Sequence, residues 1–294
     1  MTKSSDDAWK EKGMDDYLTQ VKLFGRFQVA AADGNTQAQV VVGDMYADGR
    51  GVIRDYSEAV RWYKLAAENG SEDAQVRLGD MSEIGQGVLQ NYAKAVHWYK
   101  LAAEQGNTSA QFKLGNKYRN GEGITQDYTE AIRWYKLAAE QGNTSALVML
   151  GAMNEYGKGV EENITEAVRW YKLAAAKDNV EAQYILGQIY RYKRSLLQDY
   201  TEAVKWYKLA AEQGHTDAQF NLGMMYCDGT GISPDYSMAY MWLYLAAASG
   251  NANALDNCEK ITNELTENEI EKAIEMAENM KTSLKNGEFS KGEN

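Results

Sequence analysis

The sequence predicts an all-α protein in which tandem helix-turn-helix repeats of 36 residues stack into an α/α solenoid with helical caps. Tryptophan, glycine and alanine each recur six times at a spacing of 36 residues, which is typical of a repeat architecture. Every unit contains two stretches with apolar residues at helical spacing. The chain has one proline, and alanine-rich "KLAAE" strings recur, which favours helix over sheet. The recurring residues are Trp62, Trp98, Trp134, Trp170, Trp206 and Trp242; Gly43, Gly79, Gly115, Gly151, Gly187 and Gly223; and Ala38, Ala74, Ala110, Ala146, Ala182 and Ala218.

The third repeat shows how each unit is expected to fold. Its first helix is predicted in "NTSAQFKLGNKYRN", where Ala110, Leu114 and Tyr118 recur every four residues and form one apolar stripe. "GEGITQ" follows as a turn, because glycine accepts the positive φ angles of a tight reversal. The second helix is predicted in "DYTEAIRWYKLAAEQG", where Asp127 and Glu130 have the spacing of a capping box. One such pair of helices cannot bury its apolar face alone, so the pairs must stack.

The chain is predicted to divide into four parts. Residues 1–34 are predicted to form an N-terminal helical cap and a degenerate half-repeat. The segment "FGRFQVAAADGN" is a diverged copy of "VRWYKLAAENGS", with Arg26 in the tryptophan position. Residues 35–250 hold the six repeats. Residues 251–284 form C-terminal capping helices, the last opening with Thr266 and Glu269 as a capping box. Residues 285–294 are predicted to be a disordered tail.

The repeat pattern resembles a known family. The string A-x-x-x-L-G-x-x-Y-x-x-G-x-G-V-x-x-D-Y-x-E-A-x-x-W-Y-x-x-A-A-x-x-G is similar to the Sel1-like repeat (SLR) family, relatives of the tetratricopeptide (TPR) repeat, and covers residues 25 to 284. The resemblance implies a right-handed superhelix in which the first helix of each pair lines the concave side. It also implies that bacterial members act mostly as scaffolds or adaptors for other proteins.

Composition and charge exclude several classes of partner. Acidic residues outnumber basic ones 42 to 31, for a net charge of -11, which argues against nucleic acid. No stretch approaches the roughly 18 apolar residues of a membrane span. Cys227 and Cys258 are too few for a disulfide framework, and the N-terminus has no apolar core like that of a secretory signal. We therefore expect a cytoplasmic protein; secretion or a periplasmic location stays open if a signal peptide has been removed.

The sequence predicts no catalytic, cofactor or metal site, and hence no enzyme and no small-molecule substrate. His97 and His215 are the only histidines, and neither lies among cysteines or carboxylates at metal-ligand spacing. No serine lies in a G-x-S-x-G elbow. The Gly-x-Gly loops follow helices rather than strands, so they are interpreted as turns and not as phosphate cradles. The tryptophans and the tyrosines beside them occur in every repeat, which indicates core packing.

Function is sought where the repeats differ from one another. Apolar side chains collect on the first helices of repeats four to six, and exposed clusters of this kind mark interaction sites. The loop of repeat five reads "YRYKRSLLQDY". It lacks the two glycines found in the loops of the other repeats and contains three basic residues. Drift in a tolerant loop is the alternative explanation for that change, and Met153, Ile189 and Met225 are interpreted as core. The predicted partner-binding residues are Met149, Tyr156, Ile185, Gln188, Tyr192 and Met224, with Arg191, Lys193 and Arg194 as a basic rim.

The function predicted from these observations is a scaffold or adaptor that holds a partner protein or peptide in the concave groove. A basic rim beside an apolar surface would suit an amphipathic, acidic segment. The alternative is an inhibitor or immunity-like protein that sequesters a toxic or catalytic partner, which would form a tight one-to-one complex. A hydrolase is the least favoured alternative, because no plausible catalytic set is present.

Overall fold

A computed structural model describes residues 5–192 and 198–286, with side chains for residues 15–192 and 198–284. These residues form fifteen α-helices and one short 3₁₀ turn, with no strand among them, which confirms the predicted all-α class of tandem 36-residue repeats. Long helices α1 and α15 lie at the two ends, and the helices between them are 10 to 13 residues long. The helices are α1 (Ser5–Ala32), α2 (Thr36–Asp48), α3 (Tyr56–Glu68), α4 (Glu72–Ile84), α5 (Tyr92–Glu104), α6 (Thr108–Asn120), α7 (Tyr128–Glu140), α8 (Thr144–Glu155), α9 (Ile164–Ala175), α10 (Val180–Tyr192), α11 (Tyr200–Glu212), α12 (Thr216–Asp228), α13 (Tyr236–Ala248), α14 (Ala252–Ile261) and α15 (Glu267–Asn286).

The chain divides into two compact units, which are described separately. The first unit contains residues 1–153 and 157–161, and the second contains residues 154–156 and 162–294. Even-numbered helices from α2 to α12 are the first helices of the six repeats, and odd-numbered helices from α3 to α13 are the second helices. None of the helices in the described ranges is both long and apolar enough to cross a membrane.

Side-chain caps define where the second helices begin. Asp127 Oδ1 accepts hydrogen bonds from the backbone N–H groups of Thr129 and Glu130 at 2.9 and 3.0 Å, which satisfies two donors of the first turn. The predicted capping box is therefore only half formed. Glu130 pairs with Arg133, and the N–H of Asp127 donates to the Tyr118 carbonyl. The helix start is thus tied to the preceding helix of the same repeat.

In repeats one, two, three and five, a glycine of the first helix allows a tyrosine of the second helix to pack against the backbone, and in repeat six Gly223 does the same for Leu243. Leu114, Tyr135 and Ala110 are fully buried in the third repeat. A Cβ atom added at Gly115 would lie 2.6 Å from a ring carbon of Tyr135, closer than carbon atoms pack. The recurring spacing of glycine and tyrosine in these four repeats therefore reflects one close helix–helix contact.

The interpretation of the shared aromatic residues as core is confirmed for the tyrosines and only partly for the tryptophans. The five repeat tyrosines are at most 2% exposed, whereas three tryptophans are buried and three are half-buried. Met153, Ile189 and Met225 are buried as interpreted. The buried tyrosines are Tyr63, Tyr99, Tyr135, Tyr171 and Tyr207; the buried tryptophans are Trp62, Trp134 and Trp242; and the half-buried tryptophans are Trp98, Trp170 and Trp206.

The first and last helices pack against the repeats next to them. In the first unit, the loop glycine Gly51 approaches the Gln20 carbonyl of α1 so closely that no Cβ would fit. In the second unit, α15 packs against α13, and Ala277 is fully buried. The capping box at its start is complete, since Thr266 and Glu269 each accept from the other's backbone N–H. Helix α15 extends to Asn286, and the rest of the predicted tail lies outside the described residues.

Candidate functional site

The surface on which the repeats differ is the first-helix face, defined here as the sixth, ninth and thirteenth residues counted from the start of each first helix. Residues of this face recur at helical spacing, so those within a helix lie on one side of it, and Tyr156 directly follows the last residue of α8. In the first unit they are Val41, Asp44, Asp48, Arg77, Asp80, Ile84, Lys113, Asn116, Asn120, Met149 and Ala152. In the second unit they are Tyr156, Ile185, Gln188, Tyr192, Asn221, Met224 and Asp228.

Ion pairs join successive repeats on the first-helix face of the first unit. Arg77 Nε lies 3.3 Å from Asp44 Oδ1, and Lys113 Nζ lies 2.9 Å from Asp80 Oδ1. In both cases the base at the sixth position meets the acid at the ninth position of the preceding repeat. Partly exposed pairs of this kind stabilise a fold only slightly. Their main consequence is that these charges already have partners within the chain.

The buried tyrosines of the first unit direct their hydroxyls at the same positions of the face. Each hydroxyl donates to an oxygen at the ninth position of the first helix in its own repeat, so the buried polar group is satisfied. Burial is the main reason that the pKa of each phenol is raised, that of Tyr135 to about 12. The hydroxyl-to-oxygen distances are 2.7 Å for Tyr63 to Asp44, 2.6 Å for Tyr99 to Asp80 and 2.7 Å for Tyr135 to Asn116.

A buried lysine replaces a core residue in repeat three. Lys117 occupies the position that holds methionine in the first two repeats, and its side chain is only 5% exposed. Its Nζ lies 2.6 Å from Glu83 Oε1 and 2.7 Å from Glu122 Oε2. Burial lowers the pKa of Lys117, but the hydrogen bonds to Glu122 and Glu83 outweigh it and raise the pKa overall. Lys117 also lowers the pKa of Glu122.

The first-helix face of the second unit has a different character. Tyr156 and Tyr192 occupy the thirteenth position in successive repeats and are 64% and 57% exposed. Ile185, Gln188 and Met224 are half-buried, so part of each side chain reaches the surface. This part of the face presents aromatic and aliphatic groups, whereas the first unit presents paired charges at the sixth and ninth positions and an exposed Ile84 at the thirteenth.

Arg191 lies at the edge of this surface. Its Nη1 donates to Asn221 Oδ1 at 2.9 Å, and the Tyr192 hydroxyl donates to the same oxygen at 3.4 Å. The guanidinium carbon lies 4.9 Å from the centre of the Tyr192 ring, within the range of a cation–π contact. The other two residues of the predicted basic rim, Lys193 and Arg194, lie outside the described residues.

Met149 is separate from the rest of the predicted set. It belongs to the first unit, whereas the other described members belong to the second. Its side chain is half-buried, and its sulfur accepts a hydrogen bond from Arg119 Nη1 at 2.9 Å.

The two tyrosine hydroxyls buried in the second unit differ in their environment. Tyr171 donates to Glu155 at 2.9 Å. The Tyr207 hydroxyl is equally buried, but no acceptor for its proton lies among the residues that the structure describes; its polar neighbour is Arg191, which can only donate. At the ninth position, where the first unit supplies an oxygen, repeat five has Gln188, whose amide donates to the Tyr184 hydroxyl at 2.8 Å. Sequence reasoning missed this polar layer, since the residues involved are far apart in the chain.

The histidine of the second unit caps a helix, and its two cysteines are partly or fully buried. His215 caps α12, with Nδ1 accepting from the Ala218 N–H at 3.2 Å, and its ring stacks on Tyr184 at 4.3 Å. Burial raises the pKa of Cys227 and Cys258 to about 11, so both thiols are protonated at neutral pH. Across residues 5–192 and 198–286 there is no group of three histidines, cysteines or carboxylates that could hold a metal ion.

Comparison with protein families gives one match. A family model described as Sel1 repeat matches six consecutive segments, residues 36–71, 72–107, 108–143, 144–179, 180–215 and 216–251. No curated protein sequence matches the chain significantly. The repeat pattern therefore has a family, but it has no curated relative from which a function could be read.

Several solved structures are similar. The protective antigen c5321 of uropathogenic Escherichia coli, which displays an SLR fold, is 33% identical over 86% of this chain with a TM-score of 0.80. This chain spans only 54% of the length of that antigen. A Sel1 repeat protein from Oxalobacter formigenes is 34% identical with a TM-score of 0.64, covering 78% of this chain and 99% of its own. The immunity protein Pa5087 of Pseudomonas aeruginosa, at 21% identity and a TM-score of 0.42 over 72% of this chain and 81% of its own, is too distant to inform function.

Proposed function

Because the chain belongs to the Sel1 repeat family, whose members are generally protein-interaction scaffolds, we propose that it binds a partner protein or peptide on the first-helix face of its second unit. One observation carries the proposal. Tyr156 and Tyr192 lie at equivalent positions of successive repeats, and more than half of each side chain is exposed. Tyrosine is enriched among the residues that dominate binding energy, because its ring buries a large area at low entropic cost.

The neighbouring side chains support this surface as an interface. Ile185 and Met224 are only half-buried, so a partner would remove further apolar area from water. Methionine adapts its shape to different partners. In the first unit, by contrast, Arg77 and Lys113 at the sixth position already pair with carboxylates of the chain. A partner would have to displace those pairs there, whereas the second unit offers contact area without that cost.

The test is affinity capture from native cell extract, followed by titration calorimetry with the identified partner. The variant is Tyr156→Ala with Tyr192→Ala. The matched control is Tyr17→Ala, which removes a ring of similar exposure, 56%, from α1. Each exposed anchor contributes about 1–2 kcal/mol, so we expect the double variant to bind at least tenfold more weakly while the control binds normally.

Equal binding by wild type and the double variant, with circular dichroism showing intact helices in both, would overturn the proposal. The calorimetric stoichiometry also separates the two predicted roles. A tight one-to-one complex would fit an inhibitor, and weaker or multiple complexes would fit a scaffold.

A further inference from the structure

Repeat five has more hydrogen-bond donors than acceptors beneath its exposed tyrosine. The Tyr207 hydroxyl is buried and has no acceptor for its proton among the described side chains. Arg191 and Tyr192 lie next to this hydroxyl and affect its ionisation. Both of them direct their own donors at a single oxygen, Oδ1 of Asn221. A buried hydroxyl without an acceptor is unfavourable, so the described side chains of this cluster are one acceptor short.

The preceding four repeats supply that acceptor from the chain itself. The ninth residue of the first helix, or the twelfth, accepts the hydroxyl proton of the repeat tyrosine. In repeat five the ninth residue is Gln188, which donates to Tyr184, and the twelfth is Arg191, which has only donors. The acceptors in the earlier repeats are Asp44 for Tyr63, Asp80 and Glu83 for Tyr99, Asn116 for Tyr135 and Glu155 for Tyr171.

The arginine of repeat five also has no charge partner. No carboxylate within the described ranges forms an ion pair with Arg191, and its polar neighbours there, the Asn221 amide and the Tyr207 hydroxyl, are neutral. Arg119 occupies the equivalent position in repeat three, but Asn116 accepts the tyrosine hydroxyl there, so that cluster is closed. The chain thus contains two comparable arginines. Arg119 lies next to a tyrosine hydroxyl that has an acceptor, which we call a closed cluster, and Arg191 lies next to one that has none, which we call an open cluster.

We infer that Arg191 and the Tyr207 hydroxyl together bind a side-chain carboxylate, from aspartate or glutamate, of a partner segment that crosses the first-helix face of the second unit. The inference rests on the proposed function and names the chemistry of its partner. A guanidinium offers two parallel N–H donors that match the two oxygens of a carboxylate. When Arg191 turns from Asn221 to this group, the Tyr207 hydroxyl is uncovered and donates to it as well.

The surroundings of Arg191 favour a side-chain carboxylate over a chain terminus. Tyr156 lies one repeat before Arg191 and Met224 one repeat after it, so a bound segment continues past the arginine in both directions. Ile185 and Met224 offer apolar contacts beside the charge, which suits an amphipathic segment. The Tyr192 ring, against which the guanidinium packs, keeps Arg191 at the surface where the segment passes.

The test uses a library of random 15-residue peptides, displayed without a free C-terminus and selected against the full chain. We expect selected peptides to carry aspartate or glutamate among apolar residues. The best peptide is then synthesised as a C-terminal amide and titrated by calorimetry. We expect Arg191→Gln, or acid-to-amide substitution in the peptide, to weaken binding roughly tenfold or more, with little further loss when both are combined.

Two further variants test whether the effect is specific to Arg191 and whether the Tyr207 hydroxyl contributes to binding. Arg119→Gln is the matched control and should bind like the wild type, because the tyrosine hydroxyl beside Arg119 already donates to Asn116. Tyr207→Phe should weaken binding by a smaller factor, roughly two- to fivefold, while the protein stays folded. Peptides without acidic residues, no selected peptides, unchanged binding by Arg191→Gln, or a requirement for a free C-terminus would each overturn the inference. The proposed function is decided separately, by whether the Tyr156 and Tyr192 variant loses the captured partner.

Discussion

Repeats one to three and repeat five share the same pair of helices but differ in the residues that face the hydroxyl of the buried repeat tyrosine. In the first unit the positions facing the repeat tyrosines are Asp44, Asp80 and Asn116, and each accepts a buried hydroxyl. In repeat five, Gln188 and Arg191 occupy the corresponding region, and the hydroxyl of Tyr207 meets no acceptor. The comparison shows that a repeat protein can leave one copy of a shared polar contact open. At such a repeat, a partner can supply the hydrogen-bond acceptor that the chain does not.

The same repeat departs from the others in its loop. The second glycine of the loop packs against the first-turn tyrosine of the preceding second helix, as Gly87 does against Tyr56 and Gly231 against Tyr200. At the equivalent of that tyrosine repeat four has Ile164, and at the equivalent of the glycine repeat five has Ser195, which lies outside the described residues. The sequence therefore differs at both of the positions that form this contact in the other repeats, and these positions lie in two different repeats.

Alkaline pH should give the largest effect, because it acts on the buried tyrosines of both regions at once. Burial raises the pKa of all five above the usual value of 10, that of Tyr135 to about 12. A folded-state pKa above the unfolded value means that the stabilisation is complete below pH 10 and is lost as pH rises through the folded values. We expect part of the phenolate absorbance at 295 nm to appear only together with loss of helical circular dichroism. Complete phenolate formation in a protein that keeps its helices would contradict this.

The buried lysine of the first unit should give the next largest effect. Lys117→Ala removes the ion pairs with Glu83 and Glu122 and also leaves a cavity at a buried position, so it should lower the free energy of unfolding by about 3 kcal/mol. Lys117→Met should cost less, about 1 kcal/mol or below, because methionine fills this position in the first two repeats and Glu83 keeps its bond to Tyr99. Urea unfolding followed by circular dichroism measures both. Both variants remove the charge, so equal losses would show that side-chain volume at this position contributes nothing and that the whole loss comes from the ion pairs.

Removing single hydroxyls should give the smallest effects, with opposite signs in the two regions. Tyr99→Phe deletes two hydrogen bonds to carboxylates and should cost about 1.5 kcal/mol. Tyr207→Phe deletes a buried hydroxyl without a partner and should leave stability unchanged or raise it by up to about 1 kcal/mol. Each variant is the control for the other, since both rings are fully buried. Equal destabilisation by the two changes would mean that the Tyr207 hydroxyl has a partner after all.

Much of the fold is predictable from the sequence. The 36-residue period, the apolar stripes and the capping residues are local signals repeated six times, so fold class and family follow from them. The core assignment succeeded for the repeat tyrosines and for Met225, because every copy of a repeat must bury the same positions. The tryptophans show the limit of that argument, since Trp98 is only half-buried although Trp62 at the equivalent position is buried.

The tertiary structure alone decides which side chains complete one another. The bond from Tyr63 to Asp44 spans 19 residues, and the pair of Lys117 with Glu83 spans 34. Such contacts depend on how neighbouring helices pack and on the rotamer each side chain adopts, and no local pattern records either. The sequence by itself therefore determined a solenoid of Sel1 repeats and pointed to Tyr156 and Tyr192. Only the packed structure distinguishes the closed polar clusters from the open one at Tyr207, because a missing acceptor becomes visible only when its donor has been placed.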